Sequence, residues 1–186
     1  MKYVTTGASL SHDMVYRYSL WRQWGDGVPS KRMVFLMFNP STADSLHDDP
    51  TIRRCVGYAD REGCTYLEVV NLFAYRATNP TDLVRAYKDG VNIIGSSNME
   101  YVHKAVSAAD VTVLAWGANA DRLPDPFSNS RKPTLVGDVR TMLWLTKKPV
   151  YCLGITASGQ PLHPLRLHRD QPLQPFTFPR EIKRLV

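Results

Sequence analysis

The sequence predicts an α/β domain in three layers, α/β/α. Its central sheet is mainly parallel and four-stranded, with an additional N-terminal antiparallel hairpin strand. Three observations carry this expectation. Four short apolar runs, at 32–38, 66–73, 111–116 and 150–153, are bounded by turn residues and have the length of buried strands. Apolar residues recur at helical spacing between them, and strands alternating with helices imply a parallel sheet. Polar residues or glycine follow the runs, where open α/β sheets gather their functional groups. No linker or low-complexity segment divides the chain, so residues 1–186 read as a single domain with a sizeable core.

The elements follow in order. Residues 14–24 alternate as a strand, with Val15, Arg17, Ser19, Trp21 and Gln23 on one face and Tyr16, Tyr18, Leu20, Arg22 and Trp24 on the other. A turn cluster at 25–30 leads into the run at 32–38, so the two are expected to pair as an antiparallel hairpin at a sheet edge. The run at 32–38 stops at Asn39-Pro40, because proline has no N–H for the ladder. Asp49 is a good N-cap with Pro50 at the first helical position. Ile52, Cys55, Val56 and Ala59 then form an apolar face opposite Arg53, Arg54, Gly57, Asp60 and Arg61, and Gly63 ends the helix. The run at 66–73 again delivers an asparagine, Asn71. Thr81-Asp82 opens a short helix, and residues 92–109 read as a longer one. Gly117 follows the third run, and 121–133 is a proline-, asparagine- and serine-rich loop of a length that is often functional. Residues 135–145 are helical, with Lys147 and Lys148 at the negative end of the helix dipole. The fourth run leads through a loop to His163-Pro164-Leu165-Arg166.

Net charge is +6, and it is unevenly spread. Residues 1–120 hold 12 basic and 12 acidic side chains, whereas residues 121–186 hold 11 and 5. A basic third on a neutral body points to an anionic partner, and nucleic acid is the class that fits. There is no apolar run of the roughly 18 residues a membrane span needs. The N-terminus lacks the apolar core of a signal peptide. Cys55, Cys64 and Cys152 lack metal-type spacing and read as reduced thiols of a cytoplasmic protein.

Asn39, Asn71 and His163 each have a plain role open to them: an Asx turn, a loop cap, a packed loop histidine. Three polar residues at strand ends, in a fold that gathers those ends, favour a shared pocket instead. Other chemistries lack their signatures. There is no Walker loop, no Gly-x-Gly-x-x-Gly after a strand and no Gly-x-Ser-x-Gly elbow. Asp44, Asp48 and Asp49 read as a solvated, helix-capping loop rather than a metal site. No metal or organic cofactor is expected.

The motifs in this order (strand–Asn39-Pro40, strand–Asn71, strand–Gly117-x-x-Ala120, and strand–loop–His163-Pro164-Leu165) resemble the uracil-DNA glycosylase superfamily. The run Asn39-Pro40-Ser41-Thr42-Ala43-Asp44, with Asp48-Asp49-Pro50-Thr51, looks more closely like an uncharacterised bacterial and phage family, over nearly the whole chain. The chain departs from the best-known glycosylases at three points. Asn39 stands where they carry a water-activating aspartate. Ser41 replaces a glycine or tyrosine. The second motif reads His-Pro-Leu-Arg, so a serine is lost and a basic residue gained.

The glycosylase resemblance implies a uracil-DNA glycosylase-like fold and a monofunctional hydrolysis of the N-glycosidic bond of a flipped-out base, leaving an abasic site. By that resemblance Asn39 holds the attacking water, and Asp44 is its base if the loop folds back. His163 donates to the departing base, and Asn71 reads the base edge. Pro40 and Ser41 line the pocket, with Phe73 or Tyr75 stacking on the base. Arg166, Arg169, Arg131 and Lys132 would contact DNA phosphates. A modified pyrimidine, such as a phage hypermodified base, is the expected target, in phage defence or a modification pathway. The expected state is a monomer with DNA as partner. Two other classes stay open: an enzyme processing nucleosides or nucleotides in a base-modification pathway, and a catalytically silent DNA-binding module.

Overall fold

A computed structural model describes residues 2–123 and 135–178. Arg131 and Lys132, expected to contact DNA, lie outside the described residues. Among the described residues seven strands form one sheet: β1 (Thr5–Leu10), β2 (Arg17–Gln23), β3 (Arg32–Met37), β4 (Tyr66–Asn71), β5 (Val111–Leu114), β6 (Val150–Cys152) and β7 (Gln174–Pro175). Their order across the sheet is β1-β2-β4-β3-β5-β6-β7. The middle four, β4-β3-β5-β6, are parallel and correspond to the four apolar runs. Antiparallel β1 and β2 extend one side, and β7 extends the other.

The expected hairpin between residues 14–24 and 32–38 does not form. β2 pairs with β1 and with β4, Leu20 lying opposite Val69, while β3 takes β4 and β5 as neighbours. The reason is burial. Every β3 residue from Met33 to Met37 is buried, so this strand needs the centre of the sheet, with apolar neighbours on both sides. The hairpin partner of β2 is instead β1, a polar strand without an apolar run to announce it.

Among the described residues four α-helices accompany the sheet: α1 (Pro50–Arg61), α2 (Pro80–Lys88), α3 (Asn98–Ala108) and α4 (Leu135–Thr146). Alternation along β3 divides the core. Met33, Phe35 and Met37 pack with Ile52, Cys55 and Val56 of α1, whereas Val34, Leu36 and Phe38 pack with Leu83 of α2, Val102 of α3 and Leu143 of α4. Helix α1 starts as expected: Asp49 accepts from the Ile52 N–H at 2.8 Å and Pro50 follows it. Helix α3 is shorter than residues 92–109. Gly95 has φ +82°, a left-handed conformation that breaks a helix, and it is packed against Tyr16 and Tyr18. The Asn92 side chain caps the turn there by accepting from Ile94 N and Gly95 N. Among the described residues no helix is long and apolar enough to cross a membrane.

Candidate functional site

The parallel strands end at one edge of the sheet, and the groups singled out in the sequence sit there. Asn71 is the last residue of β4, opposite Met37 of β3. Asn39 follows β3 by two residues. Gly117 follows β5, the other neighbour of β3, and its N–H donates to Pro161 O at 2.8 Å, in the loop leading to His163. Strand spacing sets the span from β4 across β3 to β5 at roughly 10 Å.

Asn39 is half-buried, and its amide is committed. Nδ2 donates to Ala77 O at 2.7 Å and to Pro40 O at 2.9 Å. Carbonyl oxygens only accept, so both amide hydrogens are used and Oδ1 is the atom left to face outward. Asn71 is 1% exposed; its Nδ2 is buried without a partner, while its carbonyl accepts from Nδ2 of Asn98 at 2.9 Å. Alternation puts Asn71 on the α1 face with Leu67 and Val69. The sequence carried no signal for Asn98, which pins the strand end by also donating to Leu72 O at 3.0 Å.

His163 is held from two directions. Gly117 has φ +72°, and a Cβ there would come within 3.3 Å of His163 Cβ, so only glycine suits this close approach. His163 Nδ1 accepts from the Leu165 N–H at 3.3 Å, which leaves Nε2 to carry the proton of the neutral ring. Burial pushes the ring's pKa below its ordinary value; Asp49 pulls the other way and Arg166 reinforces the fall. Both features favour the neutral imidazole, with Nε2 as its donor. The flanking loops are strapped together: Trp116 Nε1 donates to Gln160 Oε1, Gln160 Nε2 to Asp121 Oδ1 and Ser158 Oγ to Asp121 Oδ2, each at 2.7 Å.

The loop after Asn39 is pinned by two buried arginines of β2. The β1–β2 register shifts at Ser9/Leu10: Ser9 pairs with Ser19 and Leu10 with Arg17, passing over Tyr18. Such a bulge re-aims side chains. It brings Arg17 to the same loop as Arg22, although strict alternation puts them on opposite faces. Arg17 is 3% exposed and donates to Ala43 O at 2.7 Å, while its Nε has no partner. Burial lowers its pKa to about 10. Arg22, with no exposed surface, bonds Asp48 Oδ1 and Asp44 O, both at 2.7 Å.

The remaining candidates separate. Asp44 accepts from the N–H groups of Leu46 and His47, both at 2.8 Å; these bonds and the His47 ring hold its pKa down at about 2. A carboxylate held so acidic is a weak proton acceptor. Pro40 is buried and its carbonyl serves Asn39 and the Ala77 N–H, while Ser41 beside it is half-buried. Phe73, 3% exposed, packs edge-on against Phe38 at 5.3 Å in the apolar cluster of α2, α3 and α4. Tyr75 packs against the same cluster, away from the face Asn71 presents, and meets Tyr16 edge-on. Neither ring is brought to Asn71. Arg166 and Arg169 are exposed. Asp49, read from the sequence only as a helix cap, acts electrostatically on both Arg17 and His163. Among the described residues, no group of three His, Cys, Asp or Glu side chains could hold a metal ion.

A family model described as a protein of unknown function (DUF1643) matches residues 17–165. That span runs from the first residue of β2 to the turn after His163. Comparison with curated proteins and with solved structures returns no match.

Proposed function

The chain belongs to this family of unknown function, DUF1643, and we propose that it is a monofunctional DNA glycosylase with a uracil-DNA glycosylase-like three-layer fold, acting on a flipped-out, modified pyrimidine. The observation that carries the reading is His163. Its Nδ1 accepts from the Leu165 N–H, so Nε2 is the nitrogen left to donate from the neutral ring that burial favours, and it is seated against Gly117 at the strand edge that also bears Asn39 and Asn71. Negative charge develops on a base as it leaves deoxyribose, and a fixed N–H in a site shielded from water stabilises that charge. A donor already fixed in place needs no reorganisation as that charge develops.

In the proposed reaction the nucleotide leaves the stack and its base enters between Asn71 and His163. The bond from C1′ to the base nitrogen breaks as the bonding pair goes to the base. Nε2–H of His163 hydrogen-bonds the accumulating charge. Water adds to C1′, and the proton it sheds ends on the released base, leaving an abasic sugar. Asn39 positions that water through Oδ1, because its amide hydrogens are spent on Pro40 and Ala77. The carboxylate assigned to the cationic sugar is Asp49 rather than Asp44, since its charge is felt at both Arg17 and His163. Asn71 reads the base with its unpartnered Nδ2, which requires an acceptor on the base edge.

The test is mass spectrometry of bases released from normal and phage-modified DNAs, with Asn39→Ala and His163→Ala as variants. Release of one modified base, lost in both variants, is the expected result. DNA bound without release of any base would leave a silent binding module and end the glycosylase reading.

A further inference from the structure

A groove of about 480 Å³ runs between α1 and the segment 165–170. Its lining includes Arg53, Arg54, Gly57 and Arg61 from the helix, with Arg169 and Asp170 opposite. Four guanidinium groups line it with one carboxylate, so the lining carries a net positive charge. The arginines differ in how far they are engaged. Arg61 builds the wall: it donates to Arg169 O and Gln171 O, both at 2.9 Å, lies over the Tyr58 ring, and pairs with Glu62. Arg53 spends one nitrogen on the Asp48 carbonyl and has no ion pair among the described residues. Among the described residues the Arg169 side chain pairs with Asp170, at 3.6 Å on the surface, and Arg54 has no acceptor. Gly57 leaves the floor bare, with no heavy atom within 4 Å of where its Cβ would stand. One end of the groove reaches Leu165, two residues beyond His163.

We infer that this groove is a phosphodiester-binding track: Arg53, Arg54 and Arg169 grip successive phosphates of the strand whose flipped nucleotide occupies the neighbouring site. The inference rests on the glycosylase reading for that strand's destination, but not for its chemistry, which is that of planar cations meeting phosphate oxygens. A free nucleotide would offer the same phosphate chemistry with one contact rather than several.

The experiment is anisotropy binding of the full chain to a labelled duplex of ordinary bases across a salt series. Each phosphate contact contributes about 0.9 to the slope of log affinity against log salt on duplex DNA. Arg54→Gln and Arg169→Gln should each lower the slope by about that amount, and the pair by about twice it. Gly57→Glu, which fills the floor and adds a negative charge on an exposed helix face, should weaken binding without lowering the melting temperature. Arg85→Gln on the distant helix α2 is the control and should leave the slope unchanged. Groove variants that keep the wild-type slope, or a control that falls as far, overturn the track. Full displacement of DNA by an equimolar deoxynucleoside monophosphate also overturns it, in favour of a mononucleotide site. Base release is measured in parallel. Release that persists with unaltered slopes defeats the track alone, and a wild type that binds no DNA defeats both readings.

Discussion

Replacing Arg22 by leucine removes the cation from a pair that is nearly out of water. Arg22 has no exposed side-chain surface and Asp48 only 12%. Stranding one partner of a buried pair costs about 3–5 kcal/mol, because the remaining charge is neither solvated nor matched. The Tyr3 hydroxyl still donates to Asp48, but it is one neutral donor against a full charge. The carbonyls of Trp21 and Asp44 lose a donor as well. At about 2–4 °C per kcal/mol for a chain of this size, melting should fall by about 6–20 °C. Urea unfolding followed by circular dichroism measures the loss directly. The double variant Arg22→Leu, Asp48→Leu leaves no charge stranded and should recover at least about 1 kcal/mol of it. A single variant that loses less than about 1 kcal/mol, or a double variant no more stable than the single, would refute the idea that this pair holds the loop after Asn39.

Three further outcomes are expected. Asn39→Asp should destabilise the fold by about 1–3 kcal/mol in urea melts at neutral pH, since a carboxylate would meet the carbonyls of Pro40 and Ala77 with nothing to donate. Phe73→Ala should cost about 3–5 kcal/mol as a core truncation; a fold unaffected by it would restore the ring as a stacking platform. His163 has its folded pKa lowered by burial, so between that value and the unfolded one, near 6.5, the unfolded chain binds more protons. Stability from this group is therefore present above about pH 6.5 and lost as pH falls through the folded pKa. Melting temperatures of His163→Gln followed from pH 8 to 5 should show a flatter acid decline than wild type.

The four apolar runs and the cap at Asp49 were legible because each signal is local: a run bounded by turns, or an acid followed by proline. The position of β2 was not, because pairing depends on which strand most needs the centre, and that is a comparison among distant segments. β1 has no apolar run at all and is held by the partner it finds. The bulge at Tyr18 was hidden for a related reason. It reverses the faces of β2 partway along, so alternation assigned Arg17 and Arg22 to opposite sides, while the fold needs both on one loop. At the sheet edge, the sequence pointed to the asparagines and His163 through their places after strands. It gave no hint of how their hydrogen bonds are spent. That Asn39 has exhausted its donors, and that Asp44 is tied into its own turn while Asp49 faces His163 electrostatically, follows from loop geometry alone.

The two outermost strands, β1 and β7, both fall outside the stretch matched by the family model, 17–165. Among the described residues each borders a single neighbour, β2 and β6 respectively. Without them, those neighbours would present unpaired N–H and C=O groups along a mostly buried strand, a template for joining another chain edge to edge. The two flanking strands therefore cover those edges. A chain trimmed to 17–165 should keep every group at the strand edge and yet form larger oligomers than the full chain in light scattering.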